Sequence, residues 1–193
     1  EQRLDAETRI RGTATAIGIG VADVAEIDSV NIYHAGLLAM RRALEALPVV
    51  PQHVLVDART IPGVDAPQNC FNKGDGIDFS IAAASIVAKT HRDRLMDDLA
   101  LQFPLYGFER HKGYSTPEHQ AAISAHGPCA MHRRSFTFIR ELCGEYSALF
   151  YDLKGRLDAA AVHADLRALD DELAACTGAL AEHEQRKLKL VLS

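Results

Sequence analysis

His53-Val54-Leu55-Val56-Asp57 is a short, continuous apolar run that ends on a carboxylate. Lys73-Gly74-Asp75 brings a second carboxylate eighteen positions later. Behind it lies Ile81-Ala82-Ala83-Ala84-Ser85-Ile86-Val87-Ala88-Lys89, a small-residue helical stretch running into Arg92-Asp93-Arg94. A continuous apolar run of this length fits a strand buried inside a mixed or parallel sheet. The alanine patch has almost no side-chain bulk, so its backbone is expected to lie close to that sheet. The pattern thus places one carboxylate at a strand end and the other just before a helix. Metal-dependent phosphoryl-transfer sites in α/β proteins are often built this way.

Working toward the start, Pro48 and Pro51 close a helical pattern that begins at Asp23. Its apolar positions Ile27, Val30, Ile32, Ala35, Leu38, Ala39, Ala43, Leu44 and Leu47 recur at three- and four-residue steps. Thr13-Ala14-Thr15-Ala16-Ile17-Gly18-Ile19-Gly20-Val21 reads as a strand, and residues 1–11 as the end of a helix. Strand, helix and strand would make a right-handed βαβ unit.

Toward the end, residues 59–67 hold two prolines and a glycine and form a loop, and residues 69–72 read as a brief strand delivering Asp75. Asp78 or Ser80 caps the next helix, which Pro104 stops. Two loops follow, Tyr106-Gly107-Phe108-Glu109-Arg110-His111-Lys112-Gly113-Tyr114-Ser115 and the segment 126–136. Between them Thr116-Pro117-Glu118 opens a short helix, with proline at its first position. From Ile139 onward the chain reads as helical, with a break expected near Gly155. The stripe Leu157, Ala161, Leu166, Leu169, Leu173, Cys176 and Leu180 suits an amphipathic hairpin better than a coiled coil. Two domains are expected, 1–140 and 141–193.

The net charge of −5 gives no global argument for nucleic-acid binding. Locally the balance reverses. Between Leu105 and Arg140, Arg110, Lys112, Arg133, Arg134 and Arg140 face only Glu109 and Glu118, and four histidines add to them. Cys70, Cys129, Cys143 and Cys176 form no Cys-x-x-Cys pair, which fits a reduced protein rather than a disulfide framework. No apolar run approaches the ~18 residues of a membrane span and no secretory leader is evident, so a cytoplasmic protein is expected.

Asp57 and Asp75 offer hard oxygen ligands of the kind Mg²⁺ or Mn²⁺ prefers. A strand-end aspartate is also a common turn former, and two carboxylates are fewer than a two-metal site usually uses. Asp93, between two arginines in a helix, reads better as an ion-pair partner than as a third ligand. Lys73, Lys112, His132 and Arg133 are candidate contacts to phosphates. Tyr114 offers a ring to stack on a sugar or base, or one that anchors its loop.

Several of these segments also occur together in a known order. Lys73-Gly74-Asp75, the helix 81–89 with Arg92-Asp93-Arg94, Tyr106-Gly107-Phe108, His111-Lys112-Gly113-Tyr114, Gly127-Pro128 and His132-Arg133-x-Ser135-Phe136 closely resemble bacterial ribonuclease HII. Glu26-Ile27-Asp28, Asn31-Ile32, Ala39-Met40 and Leu55-Val56-Asp57 fit the same family, over about residues 10–138. The resemblance implies a ribonuclease H-like mixed sheet flanked by helices, with a helical C-terminal extension. It implies a monomeric endonuclease that cuts the RNA strand of RNA–DNA hybrids and cuts at ribonucleotides embedded in duplex DNA. Hydrolysis by two Mg²⁺ or Mn²⁺ ions would leave a 3′-hydroxyl and a 5′-phosphate. Carried over by position, Asp57 and Asp75 are metal-binding carboxylates, and Tyr114 packs on the sugar beside the ribonucleotide.

The chain departs from the family in lacking its opening Asp-Glu-Ala-Gly-Arg-Gly strand and the Asp-Ser-Lys stretch after it. It opens on Glu1 rather than Met, so a fragment missing the N-terminal strands and inactive alone is expected. The rival expectation is a non-catalytic remnant of that fold that binds nucleic acid or protein. Ala58 stands where bacterial members usually carry glycine.

Overall fold

The structure, a computed structural model, describes residues 2–159, 163–176 and 178–192. They fall into two compact units, Glu1–Ser135 and Phe136–Ser193. In the first unit, helix α1 (Gln2–Thr13) packs on the long helix α3 (Phe79–Gln102). Glu7 of α1 is only 2 % exposed and binds Arg94 through both carboxylate oxygens, at 2.9 and 2.5 Å. Arg11 adds a contact at 2.8 Å, and these guanidinium partners, Arg94 foremost, hold the Glu7 carboxyl down at about 2. Arg3 pairs with Asp93 at 2.8 Å, so two residues of the Arg92-Asp93-Arg94 step serve to dock α1.

Helix α2 (Val24–Glu45) opens with a capping box in which Asp23 and Glu26 satisfy each other's backbone N–H. It is not the continuous helix that its periodicity suggests. Asn31 sits at φ 67, and its side chain accepts from the N–H groups of Tyr33 and His34, restarting the helix. Val30 and Ile32, at the interruption, are exposed, whereas Ala35 beyond it is buried.

The segment Thr13–Val21 was expected to be a strand and is not one: residues 14–23 run without strand pairing. Instead they lie against α2, where Arg42 donates to the Val21 carbonyl at 2.7 Å. A Cβ on Gly18 would come within 2.0 Å of the Ala43 carbonyl oxygen, and one on Gly20 equally close to that of Ala39. The glycines therefore serve close approach to a helix, and with no strand beside this segment among the described residues its small and β-branched residues form no ladder. The expected βαβ unit is accordingly absent from the described residues.

The sheet among the described residues consists of β1 (Val54–Asp57) and β2 (Gln68–Phe71), parallel and in register from Val54 opposite Gln68 to Asp57 opposite Phe71. Such a pair usually needs a helical crossover. Here the loop 58–67 returns the chain, clamped by the Gln68 side chain, which donates to the Ile61 carbonyl at 3.0 Å and accepts from its N–H at 2.7 Å. Val54, Val56 and Ile61 form a small core with Leu44, Val64 and Ala66. After β2 come a 3₁₀ turn (Gly74–Gly76), α3 with Asp78 as its cap, α4 (Phe108–His111) and α5 (Pro117–His126).

The second unit contains α6 (Thr137–Leu142), α7 (Ala148–Ala159), α8 (His163–Ala175) and α9 (Glu182–Leu192). Its core gathers Tyr146, Phe150, Leu153, Leu157, Leu169, Leu173, Leu180 and Leu188, with Phe150 fully buried. Much of the stripe expected from the sequence is buried here, although Ala161 and the Leu166 side chain lie outside the described residues. The helical break falls at Gly144, at φ 67, rather than at Gly155, which sits in open space within α7. An exposed helical glycine costs only about 1 kcal/mol, and burial of Leu153 and Leu157 on either side outweighs it.

Candidate metal and nucleic-acid site

Asp57 is the last residue of β1 and is exposed. The ladder runs one residue further, because the Ala58 N–H donates to the Phe71 carbonyl at 2.8 Å. Ala58 then turns the chain at φ 71, in the left-handed region that favours glycine. Just past the end of β2, Lys73 turns at φ 57, ψ 47 and starts the 3₁₀ turn that carries Asp75. The Asp57 carboxylate reaches across and accepts the Gly74 N–H at 2.9 Å. The two carboxylate-bearing loops are therefore tied by a direct bond.

Gly74 is buried under Ile81, whose Cδ1 would lie 2.7 Å from any Cβ placed there. Ile81 thus packs directly on Gly74 at the start of α3. Asp78 donates its N–H to the Gly74 carbonyl at 2.8 Å and caps α3 by accepting from Ser80 and Ile81. Asp75 is exposed between these fixed points, and Lys73 is exposed beside it.

Hydrogen bonding to Gly74 uses one oxygen of Asp57 and leaves the other for a ligand. Among the described residues no three His, Cys, Asp or Glu side chains converge to hold a metal ion. What Asp57 and Asp75 offer is carboxylate oxygen, the hard ligand type that Mg²⁺ and Mn²⁺ take while keeping several waters.

Tyr114 is 59 % exposed and is supported from beneath by Arg92, whose guanidinium lies 4.4 Å from the ring centre. The same Arg92 donates to the Lys112 carbonyl at 2.8 Å, fixing a turn in which Lys112 and Gly113 both have positive φ. The Lys112 ammonium pairs with Asp97 on α3. Arg133 lies in a loop pinned by Asp28, which accepts from the N–H of Arg134 at 2.8 Å and from the N–H and hydroxyl of Ser135 at 3.0 and 2.5 Å. Burial opposes ionisation of Asp28, yet these bonds and the nearby Arg133 keep its pKa below the usual value.

His132 departs from its expected place among outward phosphate contacts. It is buried, with Nε2 at 3.0 Å from His119 Nε2 and Nδ1 at 3.0 Å from the Cys129 N–H. Burial, reinforced by His119, pushes its pKa down to about 4, so at neutral pH it carries no charge for a phosphate. His111 stacks on His119 at 4.2 Å. Neither this histidine cluster nor the seat of Arg92 under Tyr114 was foreseen from sequence. The spacing of His111, His119 and His132 across two loops and a short helix was the available signal.

A family model described as Ribonuclease HII matches residues 7–139. A ribonuclease HII of Myxococcus xanthus is 54% identical over 147 residues, covering 73% of this chain and 50% of that protein. One from Bacillus licheniformis is 47% identical over 140 residues, covering 72% and 54%. The chain thus spans about half the length of these curated relatives. The crystal structure of ribonuclease H2 from Pyrococcus horikoshii superposes with a TM-score of 0.62 at 21% identity, over 75% of this chain and 76% of that one. That likeness shows the ribonuclease H-like α/β fold expected from the sequence. With a family model covering most of its length and relatives near half identical, the chain belongs to the ribonuclease HII family.

Proposed function

We propose that this protein acts as an endonuclease on RNA–DNA hybrids and on ribonucleotides embedded in duplex DNA. In this reading Asp57 and Asp75 hold Mg²⁺ or Mn²⁺, and hydrolysis leaves a 3′-hydroxyl and a 5′-phosphate. The observation that carries it is the 2.9 Å bond from the Gly74 N–H to the Asp57 carboxylate, which ties the two carboxylate loops together. The bound ion would supply positive charge at the scissile phosphate and a more acidic water. Asp57 orients its ligand oxygen through Gly74, while Arg92 holds the Tyr114 ring outward for a sugar or base. Lys73 and Arg133 add positive charge for the backbone phosphates, and Lys112 would join them by exchanging its Asp97 partner for a phosphate.

Two carboxylates are fewer than a two-metal centre usually uses, so the 193 residues are expected to bind the duplex but turn over far more slowly than the Myxococcus relative. The test compares a duplex holding one ribonucleotide with its all-DNA counterpart, with and without Mn²⁺. Tighter binding of the ribonucleotide duplex, lost in Tyr114→Ala, supports the reading. Equal affinity for both duplexes, or turnover matching the relative and untouched by Asp57→Asn and Asp75→Asn, overturns it.

A further inference from the structure

The hydrogen bonds of the histidine cluster fix its protons. His119 Nδ1 lies 3.0 Å from the Tyr114 carbonyl oxygen, which can only accept, so Nδ1 carries the hydrogen. In neutral His119, Nε2 is then an acceptor, and it lies 3.0 Å from His132 Nε2, which must donate. His132 Nδ1 is left as an acceptor, and it receives the Cys129 N–H at 3.0 Å. A one-way chain of donors thus runs from Cys129 through His132 and His119 to the backbone of Tyr114. His111 stacks on it and closes its own bond to the Tyr106 carbonyl at 2.7 Å, while the Tyr106 hydroxyl holds the Gly127 carbonyl at 2.8 Å.

From this geometry we propose that His119 and His132 are positioning residues, a neutral pair that sets Tyr114 against the loop carrying Arg133 and lets go when either ring gains a proton. This rests on the reading of Tyr114 as a nucleic-acid contact. A proton on His119 Nε2 would face the His132 N–H, and one on His132 Nδ1 would face the Cys129 N–H. Each addition sets donor against donor in a buried place, where an unmet donor is costly; only the weakly accepting Cys129 Sγ, 3.1 Å from His132 Nδ1, could take up the second of them.

The titratable groups around the pair are His111, Tyr106, Cys129 and, edge-on to Tyr106, His126. Glu118, the chain neighbour of His119, is paired with Arg110 and has its own carboxyl lowered by that arginine and, less, by His111. Burial lowers the pKa of both rings, that of His132 to about 4, which keeps the pair neutral through the physiological range. The unfolded chain takes up those protons at a higher pH, so folded stability falls as pH drops from 6.5 toward 4.

Ring-nitrogen NMR correlations on the full chain at neutral pH are the direct test. His119 should be the Nδ1–H tautomer and His132 the Nε2–H tautomer. On acidification through His132's transition the Tyr114 amide and ring signals should broaden, and preference for the ribonucleotide duplex should fall roughly tenfold. His119→Leu should abolish that preference at neutral pH, while His119→Asn, whose amide can still donate to the Tyr114 carbonyl, should restore part of it. Reversed tautomers, or Tyr114 signals indifferent to both pH and His119→Leu, overturn the proposal whatever the duplex data show. The assigned tautomers in a chain with no ribonucleotide preference overturn the functional reading instead.

Discussion

In the proposed site Asp57 would do two things, bind a metal ion and hold Gly74, and two substitutions separate them. Asp57→Ala removes both the charge and the acceptor for the Gly74 N–H, now at 2.9 Å. A hydrogen bond to a charged group contributes about 1.5–3 kcal/mol, and Asp57 is exposed, so the lower end applies. That predicts roughly a tenfold loss of hydrogen-exchange protection at the Gly74 amide. Asp57→Asn keeps an oxygen acceptor without the charge. Neutral hydrogen bonds are about half as strong as charge-assisted ones, so protection should fall only about threefold. For Mn²⁺ the two variants should behave alike, each losing at least about tenfold in affinity, because both delete a carboxylate ligand. Exchange at Gly74 and Mn²⁺ titration together decide the matter. If Asn and Ala reduce Gly74 protection equally, the bond is not what ties the loops. If neither alters Mn²⁺ affinity, Asp57 is not a ligand.

Other substitutions report on what positions the site. Ala58→Gly should raise stability by about 0.5–1 kcal/mol in urea unfolding, because alanine at φ 71 is strained and glycine is not. Gly20→Ala should lower it by about 2–4 kcal/mol, since its Cβ would meet the Ala39 carbonyl oxygen at 2.0 Å and the segment would have to lift from α2. For Glu7 the folded pKa of about 2 lies below the ordinary carboxyl value of 4.5. Its contribution is therefore present above pH 4.5 and lost as pH falls toward 2. Glu7→Gln should flatten the acid limb of the stability profile there. It should also cost about 1–2 kcal/mol at pH 7, the half-exposed Arg94 being partly screened by water.

What could be read from the sequence was chemistry carried on short, local patterns. The β1 run with its terminal Asp57, the Asp78 cap and the proline at the first position of α5 all formed as their local signals required. The segment at Thr13–Val21 failed because a strand is a property of a pair of segments, and its glycines answered to the carbonyls of α2 instead. Asn31 broke α2 by offering its own side chain to the backbone N–H groups of Tyr33 and His34, a competition that apolar periodicity does not register. Of the expected phosphate contacts, Lys73 stands exposed, whereas His132 turned inward. Histidine is equally at home as a surface cation and as a neutral partner in a buried network, and only the neighbours His119 and Cys129 decide between them. The tie between Asp57 and Gly74 spans 17 positions, and no spacing rule announces it.

The claim that Asp57 and Asp75 form one divalent-ion site is tested most directly by paramagnetic broadening. Substoichiometric Mn²⁺ added to isotope-labelled protein should selectively erase the amide signals of Asp57, Ala58, Gly74 and Asp75, and Asp75→Asn should weaken the effect at Asp57 as well as at its own loop. Broadening confined to other acidic residues, or an effect at Asp57 that persists unchanged in Asp75→Asn, would contradict a shared site.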